Sequence, residues 1–291
     1  MDLNDKNFNY LSHWPIKFIT DVKFVGVINT SPDSYFKSST TGEIEQAIQM
    51  ARKHISEGAH YVEVGGLSGG SAAKRVSVEE EKARTLPFVE AIVQEFPQVT
   101  VIIDTFRSEV AEPALRAGAQ WINDVTALTY DEKMVDLAKE HKATAVIMHL
   151  EGPGGHKGRK LNRPFYGDVV KEVKEFLKGR VDSLVKAGLT HEQIIVDVGL
   201  GAGKRPFHDY ELLARLSEFN DLGCKQMGAC SRKQFVEAIN PVSPDERLGG
   251  SIMGAMWSVM NGCEYLRVHE VRPYAQAVDV WNGILARRLE S

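Results

Sequence analysis

The residues best equipped for chemistry in this sequence recur at one kind of place, the end of a short run rich in Val and Ile. Asn29 follows Phe24-Val25-Gly26-Val27-Ile28, Asp104 and Thr105 follow Val101-Ile102-Ile103, and Asn123 and Asp124 follow Trp121-Ile122. Met148 and His149 follow Val146-Ile147, and Asp197 follows Ile194-Ile195-Val196. Two further runs lead into Ser231-Arg232-Lys233 and Arg267-Val268-His269. Asp104, Asn123 and Asp197 offer acceptors and the Asn carboxamide adds donors, a set that suits the edge of a flat heterocycle carrying amino and ring N–H groups. Lys233, Arg267 and His269 are cations or groups that become cations, and Asn29 is a neutral ligand. They suit a phosphate or pyrophosphate, with or without Mg²⁺. A polar residue at one strand end is commonly a helix cap or a loop hydrogen bond. A whole set of complementary charge points to one mouth with an amino-heterocycle on one side and an anion on the other.

Such a mouth requires elements that deliver many strand ends to one place. Short Val/Ile runs read as strands buried on both faces, and longer stretches of period 3.6 read as helices. Strands are expected at 24–29, 61–64, 99–104, 120–123, 144–148, 194–197, 225–229 and 265–268. Helices are expected at about 43–57, 77–95, 107–117, 131–141, 168–187, 208–219, 231–239 with 245–261, and 274–288. Gly58, Gly118 and Gly188 stand where left-handed C-caps fit, and Ser77 with Glu80 has the capping-box spacing. Alternating strand–helix units give parallel sheets with right-handed crossovers, and eight of them fit a closed (β/α)8 TIM barrel. An open doubly wound sheet is the alternative. The expected organisation is an N-terminal extension over 1–22 and one barrel over 23–291. In such a barrel the active site lies at the C-terminal strand ends, where the residues above stand.

Other motifs carry less. Gly199-Leu200-Gly201-Ala202-Gly203-Lys204-Arg205 resembles a phosphate loop, but Val198 takes the place of its first glycine and Arg205 that of its Ser/Thr. The glycines are expected to shape a tight strand-to-helix turn. No HExxH, paired CxxC or GxSxG is present. His149 reads equally as a packed or a catalytic histidine; His13, His54, His60, His141, His156, His191 and His208 show no ligand spacing and are expected at the surface.

The chain has 291 residues, a net charge of −4, 43% hydrophobic and 25% charged residues, the profile of a soluble globular protein rather than a disordered tail. No apolar run approaches the ~18 residues of a membrane span, and no net positive field argues for nucleic acid. Three cysteines, Cys224, Cys230 and Cys263, imply no disulfide framework, and the polar N-terminus has no secretory signal, so a cytoplasmic protein is expected.

Over about 24–285 the sequence resembles the dihydropteroate synthase family, pterin-binding (β/α)8 enzymes. The resemblance rests on Asn29-Thr30-Ser31-Pro32-Asp33-Ser34-Tyr35, Val64-Gly65-Gly66 with Val76-Ser77, Ile103-Asp104-Thr105, Ile122-Asn123-Asp124, Met148-His149, Asp197 with Gly199 to Lys204, Ser231-Arg232-Lys233 and Arg267-Val268-His269. The family joins 6-hydroxymethyl-dihydropterin pyrophosphate to p-aminobenzoate and releases pyrophosphate, a step of folate synthesis. The resemblance implies that Asp104, Asn123, Asp197, Met148 and Lys233 hold the pterin. It implies Asn29, Arg267 and His269 at the pyrophosphate, with Asn29 on Mg²⁺, and Ser231, Arg232 and Pro32 around p-aminobenzoate. Asp104, Lys233 and Asp33 are the implied catalytic residues, and a homodimer is the implied assembly.

The departures fall on one side of the site. The loop after strand two, usually Glu-Ser-Thr-Arg-Pro-Gly, reads Leu67-Ser68-Gly69-Gly70-Ser71-Ala72, with Arg75 nearby. Ala202 replaces a phenylalanine, Val198 a proline, and Lys160-Leu161 a Met-Gln pair. The p-aminobenzoate side is thus rewritten, and Gly69 and Gly70 lead to an expectation of weakened sulfonamide inhibition. Three readings follow: a working synthase with an altered second pocket, a paralogue with another nucleophile, or a pterin-binding protein without turnover.

Overall fold

The structure is a computed structural model, and it describes residues 19, 21–30, 44–67, 76–150 and 166–290. Eight parallel strands close in sequence order into one barrel. They are β1 (Lys23–Asn29), β2 (Ala59–Gly65), β3 (Thr100–Asp104), β4 (Trp121–Asp124), β5 (Thr144–Met148), β6 (Ile194–Asp197), β7 (Lys225–Gly228) and β8 (Cys263–Val268). The intervening helices are α1 (Ile44–Ser56), α2 (Val78–Glu95), α3 (Ser108–Arg116), α4 (Lys133–Glu140), α5 (Val169–Ala187), α6 (Pro206–Ala214), α7 (Leu248–Met260) and α8 (Arg272–Glu290). The (β/α)8 expectation holds and the open sheet does not.

Closure gives each strand two different faces. One set of side chains meets the helices, as do Ile28, Val62, Val64, Val101, Ile103 and Ile122 in the main core. The alternate set, Val25, Ile102, Trp121, Val146, Ile195, Met227 and Tyr265 with Tyr61 against it, forms a separate buried cluster inside the barrel. Three aromatics fill much of that layer: the Tyr61 and Trp121 rings lie 4.5 Å apart, and Tyr265 meets them edge-on at 5.5 and 5.2 Å. Because side chains alternate along a strand, the residue two positions on points the same way, one layer nearer the C-terminal mouth. That rule puts Glu63 over Tyr61, Asp104 over Ile102, Asn123 over Trp121, Met148 over Val146, Asp197 over Ile195 and Arg267 over Tyr265. A polar layer thus lies on an apolar plug.

Local signals account for most boundaries. Ser77 caps α2 by accepting the Glu80 N–H at 3.1 Å, and Gly188 ends α5 in the left-handed conformation. Two expected helices differ. The stretch 208–219 starts earlier, with Pro206 in the first turn of α6, and finishes as a 3-10 segment, Leu216–Leu222, stopped by left-handed Gly223. The stretch 231–239 contracts to a 3-10 turn, Gln234–Glu237, because Arg232 takes a left-handed φ of 60° that no α-helix accommodates. His54 and His208, expected at the surface, are buried. Of the N-terminal extension, Ile19 is described: its backbone exchanges two 2.8 Å hydrogen bonds with the Asn282 side chain of α8. No described helix is long and apolar enough to cross a membrane.

Candidate active site

The polar layer is a connected network. Glu63, with no exposed surface, accepts the Asn123 Nδ2–H at 2.9 Å and the Arg267 Nε–H at 2.8 Å, and Arg267 Nη2 also donates to it. Arg267 Nη2 reaches Asp104 Oδ2 at 3.2 Å. Four strands, β2, β3, β4 and β8, are therefore tied together across the barrel by two carboxylates, one guanidinium and one amide. Asp197, on β6, accepts the Gly199 N–H at 2.7 Å.

Enclosure sets the charge states. Burial pushes the Asp104 carboxyl up to about 8; the Glu63 charge adds to that, and Arg267 opposes it. Burial also raises Asp197, against the Gly199 hydrogen bond and the pull of Lys233. For Arg267 burial works against the charge, but Glu63 and Asp104 outweigh it and hold the guanidinium firmly protonated. Lys233 is lowered by burial and by Arg267, with Asp197 and Asp209 pulling the other way. His269 is pushed down to about 3, by burial first and then by Arg267, Lys233 and Arg232, so its imidazole is neutral at pH 7 until an anion arrives.

The loops after β6 and β7 place the remaining groups. Gly199, Gly201 and Gly203 all have positive φ, as the strand-to-helix turn requires. At Gly199 a Cβ would stand 2.0 Å from the His149 carbonyl oxygen; at Gly201 it would press on the Lys233 stem at 3.3 Å. The glycines thus let Lys233 lie over the turn beside Asp197. Lys204, the phosphate-loop lookalike, donates to the carbonyls of His149 at 3.1 Å and Gly199 at 2.8 Å, which makes it a buried turn support. On the other side Ser231 Oγ lies 2.8 Å from His269 Nδ1.

The expected site residues fare as follows. Asp104, Asn123, Asp197, Arg267 and Lys233 come together, and Met148 pairs in register with Asp197. Asn29, at the mouth end of β1, pairs with Gly65, which in turn pairs with Asp104. The Arg232 guanidinium donates to the Pro244 and Asp245 carbonyls and to Glu270, which ties it into the loop after β7. Pro32 and Asp33 lie outside the described residues, as do Ser68 to Arg75 and Lys160-Leu161. Asp124 and Thr105 are strand-end residues with local duties: Asp124 accepts from Thr126 and Leu128, and Thr105 donates to Glu81 at 2.6 Å. His149 packs edge-on against Phe176, and burial lowers its pKa to about 3.

The strand-end search passes over Glu63. Its signal is a carboxylate in the apolar run Tyr61-Val62-Glu63-Val64, in phase with an inward-facing Tyr. For Mg²⁺, the described residues hold no cluster of three acidic, His or Cys ligands, and Asn29 offers a single amide oxygen. That donor set fits an ion carried mainly by phosphate oxygens and water rather than a protein cage.

Comparison with known proteins points to one family. Residues 25–269 match the family model described as "Pterin binding enzyme". The dihydropteroate synthase of Synechocystis sp. is 34% identical over 261 residues, 89% of each chain. The Yersinia pestis dihydropteroate synthase, solved with a sulfonamide drug complex, superposes with a TM-score of 0.85 at 30% identity, covering 91% of this chain and 95% of that one. The Xanthomonas albilineans enzyme, solved with 4-aminobenzoic acid, gives a TM-score of 0.82 at 32% identity, covering 91% and 93%.

Proposed function

The chain belongs to the dihydropteroate synthase family of pterin-binding enzymes, and from that premise we propose that its own polar layer condenses 6-hydroxymethyl-dihydropterin pyrophosphate with p-aminobenzoate. The observation that carries this is the union of Asp104, Asn123, Asp197, Lys233 and Arg267 over one apolar plug. Asp104, Asn123 and Asp197 take the N–H edge of the pterin, Met148 packs against the ring, and Lys233 lies alongside it. Arg267 uses Nε and Nη2 on the barrel carboxylates, and its Nη1 serves the pyrophosphate together with His269 and Asn29. Asn29 would hold Mg²⁺ together with pyrophosphate oxygens and water, and the bound ion would supply positive charge at the leaving group.

The pterin-methylene C–O bond breaks and the electron pair leaves on pyrophosphate. Arg267, and His269 once protonated beside the anion, stabilise that charge. Asp197, and Asp104 as the growing cation opposes its protonation, stabilise the positive charge left on the pterin methylene, so they bind the transition state better than the ground state. The p-aminobenzoate nitrogen then forms the new C–N bond and loses a proton. Ser231 and the Lys233 stem flank the second substrate; the family resemblance assigns Pro32 to the same substrate and Asp33 to the catalytic set, both outside the described residues.

We also infer a homodimer. The outer faces of α7 and α8 present an uncharged groove lined by Met253, Met256, Met260, Val280 and Ile284, with Met253, Val280 and Ile284 more than half exposed. A second copy docked there buries no unpaired charge. The free thiols, among them Cys230 held up at about 12 by burial, suit a reducing cytoplasm.

The test is pyrophosphate release from the pterin pyrophosphate with Mg²⁺, with and without p-aminobenzoate. Release that depends on p-aminobenzoate is expected. Release driven only by another amine or thiol would establish the different-nucleophile reading, and pterin binding without release the carrier reading.

A further inference from the structure

We propose that Glu63 is a positioning residue for the pterin edge, fixing which face of the Asn123 amide and which N–H groups of Arg267 are offered to the substrate. The proposal rests on the pterin-binding reading above and deepens it.

A fully buried carboxylate inside a barrel is costly, and packed apolar residues are often as stable or more so. Glu63 stands between Val27 and Ile102 of the neighbouring strands, where an aliphatic side chain would satisfy the fold. Its hydrogen-bond partners are instead two residues of the site, on β4 and β8. Both Glu63 oxygens act as acceptors here, Oε1 for Arg267 and Oε2 for Asn123. The Asn123 Nδ2 must therefore face Glu63 at 2.9 Å, which turns Oδ1 away, towards the ligand, as an acceptor for ring N–H or amino groups. The reverse amide rotamer would set two oxygens against each other. The same carboxylate fixes the plane of the Arg267 guanidinium against Asp104, leaving Nη1 for the anion. One residue thus sets the donor–acceptor polarity on the heterocycle side and the aim of the cation on the other. It touches neither substrate.

Glu63→Gln tests this, because a carboxamide has one acceptor oxygen and cannot serve both Asn123 and Arg267. KM for the pterin pyrophosphate is expected to rise 10-fold or more, and KM for p-aminobenzoate to change less than about 2-fold. Calorimetric affinity for 6-hydroxymethylpterin should fall at least 10-fold. Glu63→Asp, which keeps the charge and both oxygens, should return that affinity to within a few-fold of wild type. In an Asn123→Ala background, Glu63→Gln should cost less than about 2-fold in pterin affinity, since the group it orients is gone. An unchanged pterin affinity in folded Glu63→Gln, or an equal loss in the Asn123→Ala background, overturns the proposal. The calorimetry needs no turnover, so an inactive wild type that binds pterin would sink the synthase reading and leave this one standing. Should Glu63→Gln not fold, the wild-type Asn123 side-chain amide resonance, assigned by its loss in Asn123→Ala, gives the answer. A slowly exchanging N–H supports the contact with Glu63, and a freely exchanging one contradicts it.

Discussion

Lys233 stands between opposing pulls: Arg267 and burial disfavour its charge, and Asp197 and Asp209 favour it. A cation held in that balance beside the ring acts most strongly where charge develops, so Lys233→Ala and Asp197→Asn should each cut turnover 10²-fold or more with the fold intact. Steady-state kinetics alongside circular dichroism checks this, and near-wild-type activity in both would remove them from the site. Asp104 gives a pH signature. Its folded pKa of about 8 lies above the ordinary carboxylate value of 3.8, so the native state binds its proton more tightly than the unfolded chain. The stability this contributes is fully present below about pH 4 and is lost as pH rises through about 8. Asp104→Asn cannot lose it, so its thermal midpoint should gain on wild type between pH 5 and pH 8.5. A constant gap across that range would mean that Asp104 titrates normally. At this scale the sequence is legible where a polar residue ends an apolar run, as with Asp104, Asn123, Asp197 and Arg267. It misleads at Asp124, which has the same residue type and position but serves a turn. At Glu63 the only sequence cue is a carboxylate inside an apolar run, because its hydrogen-bond partners lie 60 and 204 residues away.

At the scale of elements, the start of α2 is tied to the end of β3. Glu81, with no exposed surface, accepts from Arg107 Nη1 at 2.7 Å and from Thr105 at 2.6 Å, and Arg107 Nη2 donates to the Val76 carbonyl at 3.0 Å. Arg107 thus pins the chain just ahead of α2 and neutralises a buried carboxylate next to Asp104. Arg107→Ala strands that charge and should destabilise the protein by about 3 kcal/mol or more in a urea titration. A loss under about 1 kcal/mol would show that Glu81 takes up a proton at little cost. The strand and helix order was legible because Val/Ile runs and 3.6-period stretches obey local rules. The turn after β7 was not, because Arg232 is drawn left-handed by contacts with Pro244, Asp245 and Glu270 that local sequence does not show.

For the molecule as a whole, the net charge of −4 averages a site in which carboxylates and cations are interleaved within one layer. An uncharged groove lies away from that site, along α7 and α8. Met253→Glu with Ile284→Glu should convert the proposed dimer to a monomer in multi-angle light scattering, since each places a charge in the inferred seam. A double variant that stays dimeric would move the interface elsewhere. The central claim, that this polar layer performs pterin transfer to an arylamine, is tested most directly by mass spectrometry of the reaction with pterin pyrophosphate, p-aminobenzoate and Mg²⁺. Dihydropteroate formed in step with pyrophosphate, and lost in Lys233→Ala, is the expected result. Pterin pyrophosphate left intact by folded wild-type protein would contradict it.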